Sequence, residues 1–412
     1  MSSHDPFAAL RLRDFQLYSV GGLLAIIGQQ MQSVAVGWEL YERTNSAMSL
    51  GFVGLLQALP VILLALPAGQ LADRIDRRRI VQAAQLFMSV CSIGLALLSY
   101  YKGPVSLFYA LLLFWGVAKA FSWPARAAML SQLVPLKLFS NAATWNSTVF
   151  QVGAISGPAL GGLLIAEYNS ALPVYIIDAV FGLARLISVA LIKSKQTSYS
   201  KEPMTLGSLI AGFDFVWRTK IILATISLDL FAVLLGGATT LLPIFAKDIL
   251  QVGPSGLGWL RAAPSVGAVL MAILLVYLPP MKQAGRALLW SVIIFGLATI
   301  VFGLSRSFTL SFAMLFLAGA VDNVSIVVRQ TLVQVLTPDE MRGRVSAVNS
   351  IFITSSNEIG GFESGLVAAL FTPVISVVSG GIGTILVVIA TVLIWPQVRK
   401  IGSLQELNKQ QM

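Results

Sequence analysis

Glu39, Lys119, Asp178, Arg185, Asp229, Asp322, Glu358 and Glu363 are ionisable side chains set inside otherwise apolar stretches of this chain. A charge at the centre of a bilayer costs about 2.5–3.5 kcal/mol or more, so it persists where it meets a partner, a water-filled cavity, a proton or a charged substrate. Proton and ion handling is therefore the chemistry these residues suit. Asp229 lies about eight residues, or roughly 12 Å, from the expected inner end of its helix, deep enough to carry a proton or meet a cation. Asp178 and Arg185 are seven residues, two helical turns, apart and share a helix face, which suits a structural or interfacial role. Glu39 stands beside Trp38 near an outer helix end, where it can anchor as well as bind. Bond-making chemistry would need a nucleophile with its base, or a set of metal ligands. The only histidine, His4, precedes the first apolar run, and the only cysteine, Cys91, is embedded in one. Neither an enzyme, nor a metal, nor a cofactor is expected.

Composition decides what kind of helices or strands hold these charges. Of 412 residues 56% are hydrophobic and 11% charged, against about 25% charged in soluble domains. The apolar residues come in runs of about 20, the length that spans a bilayer core, and not in the alternating segments of about 10 that make a barrel. The expected spans are 15–41, 47–71, 79–101, 105–126, 141–166 and 171–192, then 221–245, 255–278, 287–305, 308–330, 343–367 and 372–395. The fold class expected is an all-α membrane protein of twelve transmembrane helices in two six-helix halves. The net charge of +10 is spread over short breaks between spans, with no basic domain, so nucleic acid is excluded as a partner. Of the 28 Lys and Arg, 21 fall on the side that carries both termini and four, Arg43, Lys102, Lys247 and Arg306, on the other. The positive-inside rule then places both termini in the cytoplasm and the chain in the inner membrane. Asp5, Arg11, Arg13 and Asp14 before the first span read as an uncleaved cytoplasmic start. The longest polar stretch divides the chain into 1–192, a cytoplasmic linker and amphipathic segment at 193–220, and 221–412.

An internal repeat supports two halves. At an offset of 203, Gly116 meets Gly319, Arg126 meets Arg329, Pro135 meets Pro338, Asn146-Ser147 meets Asn349-Ser350, and Gly157 meets Gly360. At an offset of 204, Gly54, Leu56, Ala58 and Pro60 meet Gly258, Leu260, Ala262 and Pro264. Arg126 and Arg329 form an equivalent pair near the inner helix ends. The same register carries Lys119 onto Asp322, so opposite charges occupy equivalent places.

Between spans 2 and 3 stands Gly69-Gln70-Leu71-Ala72-Asp73-Arg74-Ile75-Asp76-Arg77-Arg78-Arg79. It resembles the loop signature of the major facilitator superfamily, with Asp76 where that family usually has glycine. The resemblance makes Gly69, Asp73, Arg74, Arg77 and Arg78 a gating motif, in which Asp73 accepts from a helix N-terminus or an arginine and the basic run holds the inner surface. The matching loop, Leu278 to Arg286, keeps only a trace of it. In span 5, Gly153, Gly157, Pro158, Gly161 and Gly162 are spaced like the antiporter motif of the superfamily; small residues four apart also make a flat face for close helix packing. Phe121 to Arg126, Gly207 to Phe213 and Gln334 to Arg344 are similar to the twelve-helix branch of enterobactin exporters and macrolide efflux proteins.

That resemblance implies proton-coupled export of a small organic molecule, siderophore or drug-like, by alternating access. Uptake, lipid translocation, or a transporter-like sensor without flux stay open. In the superfamily spans 1, 4, 7 and 10 line the central cavity, which singles out Gln29, Gln30, Lys119, Asp229, Asp322 and Asn323 as transport or coupling residues. Related drug antiporters carry an arginine in mid-span 4, and here Lys119 is the nearest cation. The implied partners are a small-molecule substrate, protons and the lipid bilayer, with a monomer as the working unit.

Overall fold

Inside a bilayer each backbone N–H and C=O must find its partner within the protein, and a chain of long apolar runs meets that demand by coiling into helices. A computed structural model describes residues 5–193, 206–279 and 281–402, and among them the only regular elements are helices. In order they are α1 (Arg13–Thr44), α2 (Ala47–Leu63), α3 (Ala65–Arg74), α4 (Arg77–Tyr100), α5 (Val105–Leu133), α6 (Phe139–Tyr168) and α7 (Leu172–Ala190). They continue with α8 (Leu206–Arg218), α9 (Lys220–Leu235), the single turn α10 (Leu242–Ile244), α11 (Gly253–Tyr277), α12 (Ala284–Leu304), α13 (Phe308–Leu336), α14 (Asp339–Leu370) and α15 (Pro373–Ile394).

Ten of these segments are long and apolar enough to cross a membrane. The remaining two expected spans are helical but depart from that pattern. Span 2 divides at Leu64 into α2 and α3, because Pro67 has no N–H to give the Leu63 carbonyl. Span 11 lies within α14, whose hydropathy is lowered by Arg342, Arg344, Glu358 and Glu363. Span 7 is also irregular: α9 stops at Leu235 before Gly236 and Gly237, and the chain continues through a 3-10 turn, α10 and a π turn to Ile249.

The chain forms two compact units, residues 1–40 with 56–204 and residues 41–55 with 205–412. In the first, Phe15, Tyr18, Val81, Met129, Leu133 and Val189 pack in one cluster. In the second, Leu228, Leu288, Val292, Val328 and Leu332 do the same. Large apolar side chains such as Val90, Leu97, Phe114, Leu160 and Leu386 remain exposed, as lipid-facing positions require. The repeat has a counterpart in packing. A methyl added to Gly116 would lie 2.8 Å from the Gln57 carbonyl of α2, and one added to Gly319 would strike the Pro264 carbonyl of α11.

Asp76 has a clear use in place of the family's glycine. It sits at the N-cap of α4 with φ −52 and ψ 113, and its carboxylate accepts from the Arg78 N–H at 2.9 Å. An N-cap acid both satisfies an orphan donor and meets the positive end of the helix dipole. Asp76→Ala is expected to lower stability by about 1 kcal/mol, and Asp76→Gly by only a few tenths. Thermal unfolding of the two variants side by side checks the order.

Candidate functional site

In the second unit Asp229 on α9 and Arg329 on α13 form a buried ion pair. Both side chains are 9% exposed, so the pair is nearly dry. The guanidinium keeps Nε without a hydrogen-bond partner, leaving part of its donor capacity unused. Arg329 thus serves as the counter-ion of a coupling candidate, whereas its repeat equivalent Arg126 is half-buried and lends its backbone carbonyl to the Tyr18 hydroxyl at 3.2 Å. Asp322 and Asn323 stand half-buried on α13 one to two turns away, and the Asn323 side-chain oxygen is buried without a partner.

In the first unit Asp178 on α7 is buried and accepts from the Ser92 hydroxyl of α4 at 2.6 Å; Ser92 in turn accepts from the Gln32 amide of α1 at 3.1 Å. Gly28 lets α1 approach this carboxylate, since a methyl there would lie 3.1 Å from the Asp178 Cα. Arg185, two turns along α7, is 1% exposed and lies over the Tyr18 ring at 5.8 Å. The Lys119 ammonium lies 5.5 Å from the Trp115 ring centroid. The Gln29 amide nitrogen is buried without a partner, and the Gln30 Cβ packs under Gly157.

The basic loop is anchored to carbonyls near helix C-termini, and those of Ala72 and Ala190 lie in a last turn where intrahelical donors are missing. Arg77 donates to the Ala72 carbonyl at 3.2 Å and to Ala128 of α5 at 3.3 Å, and Arg78 donates to Ala190 at the end of α7 at 3.1 Å. Gly69 and Arg74 lie on α3 with Arg74 exposed, while the Asp73 side chain is outside the described residues. The span 5 motif turns one face to α1. Methyls on Gly153, Gly157 and Gly161 would press on Ile26, Gln30 with Ile27, and Met31 respectively, and Pro158 and Gly162 are buried beside them.

Five polar residues of the second unit, Arg261, Tyr41, Asn45, Lys247 and Asp248, are not among the site residues expected from sequence. Arg261 on α11 is attracted by Glu358 of α14, and its position inside an apolar run is the signal that could have found it. Tyr41 donates to Asp248, and Lys247 lies 5.4 Å from the Tyr41 ring and 3.2 Å from the Asn45 side-chain oxygen. Those residues sit near expected outer helix ends, where polar side chains are ordinary and carry no signal.

Residues 4–412 match the family model described as transmembrane secretion effector. The enterobactin exporter EntS of Escherichia coli O1:K1 / APEC is 25% identical over 401 residues, covering 97% of this chain and 94% of that protein. The enterobactin exporter of Shigella boydii serotype 18 aligns with the same figures. Among solved structures, a bacterial homologue of the human lysosomal transporter Spinster superposes with a TM-score of 0.70 at 16% identity, covering 94% of this chain and 95% of that one. A POT family transporter in complex with 5-aminolevulinic acid gives 0.72 at 12%, covering 94% and 96%. The structural likenesses establish the fold.

Proposed function

The chain belongs to the transmembrane secretion effector family of the major facilitator superfamily, whose members are secondary transporters and not enzymes, and on that premise we propose that it exports a small organic molecule, siderophore or drug-like, in exchange for protons. The observation that carries the direction is similarity to an exporter over 97% of the chain. The positive-inside distribution supports an inner-membrane location with both termini cytoplasmic. In this reading the two halves alternate access to a midplane site, as repeat-built transporters do. Asp229 and Asp322 are the proton-coupling candidates. For Asp229 the ion pair suggests the step: protonation of the carboxylate releases Arg329, and the cost of the freed guanidinium drives the change of state.

Reconstituted protein screened against siderophores, macrolides and lysophospholipids, with and without an imposed pH gradient, tests the proposal. Outward flux that follows the gradient supports it. Inward accumulation, or binding without flux, overturns it in favour of uptake or sensing. Within this scheme Asp73→Asn should insert normally and lose most transport, through loss of the gating carboxylate. Full flux in a correctly inserted Asp73→Asn protein removes that residue from the gate.

A further inference from the structure

The two units treat their equivalent arginines differently. Gly157 of α6 abuts the Ile27 carbonyl, and its repeat mate Gly360 of α14 abuts the Leu234 carbonyl. The glycines are 203 apart and the residues they touch are 207 apart, so 207 is the structural offset between α1 and α9. The same interval carries Asp229 onto Gly22. Where the second unit supplies a carboxylate for Arg329, the first therefore supplies a hydrogen atom. Between Asp14 and Glu39, at the two ends of α1, no other acid replaces it, since residues 15–38 contain neither Asp nor Glu.

The first unit instead adds cations. Arg185 has no basic equivalent in the second unit, where a 203 offset falls on Val388. It is 1% exposed, its three guanidinium nitrogens are buried with no hydrogen bond of good geometry, the Tyr18 side chain attracts it, and Arg126 adds a like charge nearby. The Tyr18 ring is the favourable surface beneath it. Asp178, the acid on the same helix, is two turns away, about 10 Å, and is held by Ser92. A dry guanidinium beside a second one is strongly unfavourable unless an anion joins them. The Arg185 guanidinium faces Gly22: a methyl there would be 3.4 Å from Nη1 and 4.0 Å from Val149 Cγ1, so nothing larger than the glycine hydrogen now stands between that guanidinium and α1.

We propose that Arg185, Arg126 and Tyr18 form an oxyanion site over Gly22, and that the transported molecule presents a carboxylate or phosphate to it. Two guanidinium groups suit a forked oxyanion, which they can grip with paired N–H donors. Arg126, the half-buried member, is the point of entry, and Arg185 is the deep member that completes the grip. The site names a substrate class and so rests on the transport reading, but binding can be measured without flux.

The test uses the full chain in phosphatidylcholine nanodiscs, with benzoate and inorganic phosphate as probes and benzamide as the neutral control. At least one oxyanion should raise the melting temperature of the wild type in a saturable way, and benzamide should not. Arg185→Gln should weaken that response at least tenfold. Gly22→Asp, which keeps Arg185 and places a carboxylate where Asp229 stands in the other unit, should melt above wild type without ligand and lose the response. Gly22→Asn should retain it. If Arg185→Gln fails to fold, the Gly22 pair alone decides. A wild type indifferent to every anion, or a Gly22→Asp protein that binds them as wild type does, overturns the site. So does loss of the benzoate response when phosphatidylglycerol replaces phosphatidylcholine, because the anion is then a lipid headgroup and not a solute. Anion binding that depends on Arg185 in a protein with no flux overturns the export reading and leaves the site standing.

Discussion

Arg329→Met is expected to destabilise the protein by about 3–5 kcal/mol and to abolish transport, because it strands Asp229 as an unpaired charge in a dry interior. Asp229→Asn strands the guanidinium instead and should cost a similar amount. The double variant Asp229→Leu with Arg329→Met removes both charges. Its stability should return close to wild type, since a buried ion pair repays its desolvation poorly and an apolar replacement is often neutral or better. Transport should stay absent in the double variant if the pair works as a proton switch. Thermal unfolding in detergent, read beside flux in liposomes, separates the two effects. A double variant that is stable and transports as wild type does would reduce the pair to a structural contact. An Arg329→Met protein as stable as wild type would show that the pair does not form.

Hydropathy made the helical plan legible, because a bilayer leaves apolar runs no other regular form. Helix interruptions were harder to see. Pro67 and the Gly236-Gly237 step break two spans, yet proline and glycine also occur within intact helices here, such as α5 with Pro124 and α6 with Pro158. Whether such a residue breaks the helix depends on what the neighbouring helix offers, and no local pattern reports that. The same holds for charges. Asp229 was visible as an acid in an apolar run, but its partner Arg329 lies 100 residues along the chain and was read from the repeat as a match for Arg126. Sequence equivalence relates positions in the fold, whereas an ion pair depends on what the adjacent helix carries. Arg261 is harder to see for a simpler reason: it is a single charge set among Gly258, Leu260, Ala262 and Pro264, whose repeat spacing is the stronger pattern. Asp76 shows the reverse case, in which a departure from a family pattern became intelligible only as an N-cap.

Gly157→Leu is expected to leave little correctly folded protein, and the reason is geometric. A Cβ at this position would sit 2.5 Å from the Gln30 Cβ and 2.8 Å from the Ile27 carbonyl oxygen. The second obstacle is backbone, so no change of rotamer can clear it and α6 must move away from α1. Gly161 raises a similar bar one turn on, where a Cβ would meet the Met31 Cα at 3.0 Å and its carbonyl at 3.1 Å. With no aqueous driving force between helices in lipid, close packing of small residues is a main source of cohesion, and a shift at one turn loosens the whole seam. Gly157→Ala should cost about 1–3 kcal/mol, as overpacking of a tight contact usually does. Leu160→Ala, on the exposed face of the same helix, should be nearly neutral. Unfolding of these variants tests the packing, and flux under a pH gradient tests whether the seam also serves antiport. If Gly157→Ala folds and binds substrate but loses its response to the gradient, the face does more than pack. If flux declines only in step with folded protein, the resemblance to the antiporter motif reflects helix contact alone, and Gly157→Leu at wild-type stability would sink both readings.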